Sequence, residues 1–145
     1  MAAVEGKSKI YADVIFATLA TCLLAGCAHS TENLPPAMWR IDDASPPSSD
    51  STRVDVLVTR LECSGGITGE VKEPTVTESP SEVVVTFTVE DLGLEAATCQ
   101  SNPEVPASFT LNEPLGERRL IDGQCFSGGD AATTSFCESD VRWEP

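Results

Sequence analysis

The sequence predicts an all-β protein, a small antiparallel β-sandwich placed behind an apolar leader and a proline-rich spacer. Three observations predict it. From residue 53 onward, apolar and β-branched side chains recur at every second position. Clusters of Gly, Pro and Ser cut that region into short runs. No part of it carries a helical apolar stripe of useful length.

Asp and Glu outnumber Lys and Arg 23 to 9 in the 145 residues, a net charge of −14. Lys7 and Lys9 cancel Glu5 and Asp13, so the chain after residue 26 keeps that whole charge. Such a surface repels phosphate backbones and anionic headgroups, which excludes nucleic acid as a partner. Solubility and repulsion between copies, and hence a monomer, follow from the same charge.

Residues 1–26 make the first segment. Lys7 and Lys9 precede the uncharged run VIFATLATCLLAG, 14–26, in the pattern of a secretory signal: a charged opening and an apolar stretch of roughly 7–15 residues. Spanning hydrocarbon takes about 20 apolar residues, and extension toward Ile10 meets Asp13, which is costly at membrane depth. The run closes on Leu24-Ala25-Gly26-Cys27. These four residues resemble the lipobox of bacterial lipoproteins, a leucine and two small residues before a cysteine at the end of a signal sequence. The resemblance implies that Cys27 carries a diacylglyceryl thioether and becomes the first residue after cleavage. Several acyl chains then hold the protein in a membrane, since one chain alone grips only marginally. Ala28 is not the aspartate associated with inner-membrane retention, so an outer membrane stays open where the cell has one.

Residues 27–52 are expected to be the lipidated cysteine and a flexible tether. Pro35-Pro36, Pro46-Pro47 and a serine cluster oppose helix and disfavour strand. Met38-Trp39 interrupts the polarity, and Trp39 has two readings: packing on the edge of the folded body, or an exposed binding anchor. His29, the one histidine of the chain, reads as a solvated tether residue.

Residues 53–145 form the folded body. RVDVLV places Val54, Val56 and Val58 on one face; EVVVTFTVE does the same for Val83, Val85, Phe87 and Val89. VPASFTLN aligns Val105, Ala107, Phe109 and Leu111. ITGEVKEPTVT, 67–77, reads as a further strand whose parity shifts across Pro74, the sign of a bulge or an edge. RRLI, 118–121, ends at the Asp122-Gly123 turn, and VRW supplies a short last strand. Five to seven strands in about 93 residues suggest an immunoglobulin-like architecture.

A core of this size commonly needs reinforcement. Cys63, Cys99, Cys125 and Cys137 remain after the lipid site. In an exported chain they imply two disulfides, with three connectivities allowed. Cys63–Cys99 and Cys125–Cys137 are favoured, the first tying the end of one strand to the loop after another, the second closing FSGGDAATTSF. A zinc site would need paired C-x₂-C spacing or histidine in the body, and the sequence has neither. The stretch 97–123 is similar to segments of small envelope lipoproteins of actinobacteria; the similarity implies an envelope module and no particular activity.

Catalytic readings lack their parts. Without histidine in the body, a Ser-His-Asp or Cys-His hydrolase has no base. Phosphate-loop, dinucleotide and HExxH motifs do not occur. Glu90-Asp91 and Glu113 with Glu117 flank turns and read as solvated surface, and Asp42, Asp43 and Asp50 form no defensible calcium loop. Arg118-Arg119 point to opposite faces of a strand; one pairs with a carboxylate such as Glu113, while the other is an ion pair or a clamp for a carboxylate ligand. The expectation is a lipid-anchored extracytoplasmic protein without enzymatic activity, metal or cofactor, which binds an envelope protein or glycan. An inhibitor or accessory subunit of an envelope enzyme is the alternative, and a carboxylate-dependent hydrolase the third.

Overall fold

The computed structural model describes residues 33–145. The leader expected over 1–26, the lipidation expected at Cys27, and His29 lie outside the described residues. The fold is all-β: β1 (Pro36–Ile41), β2 (Arg53–Arg60), β3 (Thr75–Glu78), β4 (Glu82–Thr88), β5 (Val105–Thr110), β6 (Arg119–Asp122) and β7 (Val141–Trp143). Two single 3₁₀ turns, Gly123–Cys125 and Ser135–Cys137, are the helical elements among the described residues.

Alternation drives the longest strands. In β2, Val54, Val56 and Val58 point inward, and in β4 Val83, Val85 and Phe87 do so, all at or near zero exposure. Each such side chain contributes about 1.5–3 kcal/mol on leaving water. Ala37, Trp39, Val89, Phe109, Leu111, Leu115 and Leu120 complete one core with them. Trp39, Phe87 and Phe109 meet edge to face, with ring centroids 5.9–6.3 Å apart, a geometry that adds to the burial.

The strands run in the order β5-β2-β1-β4-β6-β7, with β3 on the other side of β4. β1 aligns with β2 through five residue pairs, from Ala37↔Arg60 to Ile41↔Val56. β4 takes three neighbours because two of them share an edge in succession: β6 pairs with Glu82–Val85, and β1 with Phe87–Thr88. The sheet therefore forks along β4.

Three expectations change. The tether expected over 27–52 ends early, because β1 is an inner strand and the folded body begins before it, not at residue 53. Pro36 opens β1, where a missing N–H is tolerated, and the Pro46-Pro47 pair falls in the β1–β2 connection. Trp39, 3 % exposed, is in the core and not at its edge. Second, the sheet is mixed, not antiparallel: β4 and β6 run parallel. Third, the strand expected over 67–77 contracts to β3, an edge strand beginning after Pro74, and Val71 keeps only an isolated bridge to Val89.

Candidate functional site

The fork in the sheet creates a polar problem, and its solution organises one end of the molecule. Where β6 leaves β4, the buried Val85 carbonyl accepts a hydrogen bond from the Trp39 indole, Nε1–O 3.1 Å. The Phe87 carbonyl accepts from Gln124 Nε2 at 3.1 Å. Beside them Asp122, fully buried, accepts from the Gln124 backbone N–H and from Arg142 Nη2, each at 3.0 Å. Burial pushes the Asp122 carboxyl above its ordinary value, against the opposing pull of Gln124, Arg142 and the Trp39 backbone.

Arg142 does more than neutralise Asp122. Its Nη1 donates to the Ser139 carbonyl at 2.7 Å, and Nη2 also reaches the Phe136 carbonyl at 3.2 Å and Cys125 Sγ at 3.3 Å. One guanidinium thus gathers the base of the excursion 123–140. The Cys125–Cys137 disulfide closes that excursion. Gly129 lets it fold back on itself, since a Cβ there would lie 2.3 Å from the Gln124 carbonyl oxygen. Phe136, held at that base beside Cys137, stays 53 % exposed.

Two further connections, 61–74 and 89–104, leave the same end. Arg60, buried at the close of β2, donates from Nε to the Thr68 carbonyl at 3.1 Å and from Nη2 to the Glu90 carbonyl, joining the pair. Asn102 Nδ2 donates to the Glu62 carbonyl at 2.8 Å, Gly65 N–H to the Thr98 carbonyl at 3.0 Å, and Gln100 Nε2 to the Gly65 carbonyl at 2.7 Å. Gly66 has φ +86°, a conformation that favours glycine, and a Cβ there would push Gln100 Nε2, 2.5 Å away, off the Gly65 carbonyl. Cys63–Cys99 welds the two connections. In the loop-entropy treatment this bond, 36 residues apart in sequence, is worth about 3.8 kcal/mol, and Cys125–Cys137, 12 apart, about 2.9. Paired Cys→Ser variants are expected to lose stability in that order in urea titration.

Between the welded connections and Phe136 lies a hollow of about 430 Å³, walled by Arg60, Glu62, the Cys63–Cys99 bond, Gln100 and Asn102. It adjoins a recess of about 130 Å³ lined mainly by Met38, Trp39, Leu57 and Phe136. Arg40 and Glu104 wall the recess with a two-point ion pair, 2.6 and 2.8 Å, in which the guanidinium holds the Glu104 carboxyl below its ordinary range. The recess suits an apolar side chain, and its charged wall is already internally paired.

The residues singled out in the sequence lie elsewhere. Arg118, buried, donates from Nη1 to Glu78 at 2.7 Å and otherwise to the carbonyls of Glu113, Pro114 and Leu115. It pairs with Glu78 and not with the Glu113 carboxylate. Arg119 pairs with Glu82. Both guanidiniums thus stand in ion pairs, one of the two readings the sequence allowed. Glu90 accepts from the Glu70 N–H across the two connections, and Asp91 from the Gly93 N–H within a turn. Asp42 caps the Ala44 N–H, Asp43 pairs with Arg40, and no group of three metal-ligating side chains assembles among the described residues.

Glu78 yields a pH prediction. The Asn112 backbone N–H, then Arg118, hold its carboxyl below the ordinary 4.5. A depressed carboxyl supports folding above its unfolded value and loses that support as pH falls through the folded one. Glu78→Gln is therefore expected to cost more stability at pH 7 than at pH 3, read by thermal melts at both.

Asp122, Arg142 and Arg60 escaped sequence reading. Asp122-Gly123 reads as a turn, and it is one, but nothing local says that the aspartate is buried. Comparison with protein-family models, curated proteins and solved structures finds no match for this chain.

Proposed function

We propose that the protein is a lipid-anchored, extracytoplasmic binding module, non-catalytic, with its loop-bearing end as the interaction surface. The observation that carries this reading is the pair of disulfides within the described body. Such bonds persist in oxidising compartments and are rare where thiols are kept reduced, which agrees with a signal sequence ending in Leu24-Ala25-Gly26-Cys27. The connections 61–74 and 89–104, joined by Arg60 and Cys63–Cys99, and the excursion 123–140, held by Arg142 and Cys125–Cys137, form a preorganised surface, which lowers the cost of ordering on binding. The Cys125–Cys137 loop with exposed Phe136 equally suits insertion into a cleft of an envelope enzyme, the accessory-subunit form of the same role.

Early entry into the fold shortens the spacer. Eight residues separate Cys27 from Pro36, a contour of at most about 29 Å. The module then works close to the bilayer on the outer face. No helix among the described residues is long and apolar enough to cross a membrane. Cys27→Ser tests the reading. The wild-type chain is expected in the detergent phase of a two-phase extraction, carrying diacylglyceryl on Cys27. The variant is expected unmodified and uncleaved. Wild-type protein with an unmodified Cys27 sulfur would defeat it.

A further inference from the structure

We infer that the end bearing the connections 61–74, 89–104 and 123–140 docks a basic surface of another protein, taking an apolar side chain into the recess beside Phe136. The inference deepens the binding-module reading and rests on it.

The topology puts these connections together. β1 begins at this end; β2 and β4 finish here, and β3 and β5 start here. β6, parallel to β4, releases the excursion 123–140 toward the same end, and Phe136 lines the hollow beside the Cys63–Cys99 bond. Among the described residues, four large apolar side chains are strongly exposed: Ile67, Leu94, Phe126 and Phe136, at 45–53 %. All four belong to these connections. The opposite end, formed by 42–52, 79–81 and 111–118, carries none of them. Isolated exposed apolar side chains need no explanation, but their confinement to one end marks that end for contact.

Charge selects the occupant. The three connections hold ten Asp and Glu against one cation, Lys72. Glu104 and Glu62 pair with arginines and Glu70 with Lys72, while Glu95, Asp130 and Glu138 stand exposed outside any ion pair among the described residues. An anionic bilayer is repelled by such a surface, and apolar tips flanked by carboxylates enter headgroups at a cost. A protein surface rich in Lys and Arg is attracted and steered by it, and an apolar anchor completes the contact in the recess. Hydrogen bonds, two disulfides and the Arg142 clamp already fix the shape that receives it.

Site-directed photocrosslinking of the full chain in the cells that make it tests the inference. The probe is p-benzoylphenylalanine at Leu94 or Phe136, with Ser49 as the opposite-end control. Protein adducts are expected from 94 and 136 and not from 49, with the captured surface net positive. Asp91→Lys with Glu95→Lys is expected to cut their yield roughly tenfold, as rim charge sets encounter. Equal adducts from 49, a captured surface of neutral or negative charge, or yields indifferent to the reversal would each overturn it. So would adducts to lipid alone, which would give this end to the bilayer. A protein anchored through Cys27 that yields no adduct overturns the docking inference and leaves the anchor standing; an unanchored one that yields them does the reverse.

Discussion

Replacing Arg142 by methionine is expected to lower the free energy of unfolding by about 3–5 kcal/mol, the cost of leaving a buried carboxylate without its ionic partner. Asp122 is fully buried, and Arg142 supplies its one cation, at 3.0 Å. The penalty carries a pH signature. Because burial holds the Asp122 carboxyl above its ordinary value, the folded state keeps its proton longer than the unfolded chain does. Stability from this group is therefore fullest in acid and declines as pH rises from about 3.8 through the folded value. Without Arg142 that folded value climbs further, so the variant suffers most at neutral pH and least near pH 4. Asp122→Asn in the same background removes the charge and is expected to recover part of the loss. Urea titrations of the two single variants and the double variant at pH 4 and 7 check both amounts. A pH-independent loss in Arg142→Met would contradict the buried-pair account.

Trp39→Ala is expected to cost about as much or more, for two separable reasons. The indole fills the centre of the core against Phe87 and Phe109, and truncating a buried aromatic costs about 3–5 kcal/mol. It also supplies the donor to the buried Val85 carbonyl, and orphaning such a group adds about 1–3 kcal/mol. Trp39→Phe separates the contributions, since it keeps most of the ring volume and removes the donor. Its expected loss is chiefly the second figure. Domains have roughly 5–15 kcal/mol to lose, so the alanine variant should show collapsed amide dispersion in NMR spectra while the phenylalanine variant keeps a native one.

What sequence disclosed here follows the reach of local patterns. β2 and β4 were legible because Val54, Val56, Val58 and Val83, Val85, Phe87 alternate with polar or solvent-facing neighbours. The cysteine pairing was legible because four thiols leave few choices, and one of them closes an obvious loop. β1 was hidden twice over. Prolines flank it, and Met38 is buried on the face opposite Ala37 and Trp39, which erases the period of two. The opposite facing of Arg118 and Arg119 was readable, and one is indeed buried while the other is exposed. Their partners were not, because Glu78 and Glu82 lie 40 and 37 residues away. The loop-bearing end was likewise unreadable. The excursion 123–140 joins it because β6 lies parallel to β4, and no short stretch of chain announces which strand will become its neighbour.

That parallel pair has a kinetic consequence. β4 and β6 are adjacent in space across an intervening segment, residues 89–118, that itself contains β5. Loop closure must be paid for before such distant strands reward it, so topology of this kind folds slowly. During the wait, the Val83–Val85 edge stands open to strands from other copies. Rapid dilution and low protein concentration during refolding should therefore decide how much native material is recovered, more than any change made to β6 itself.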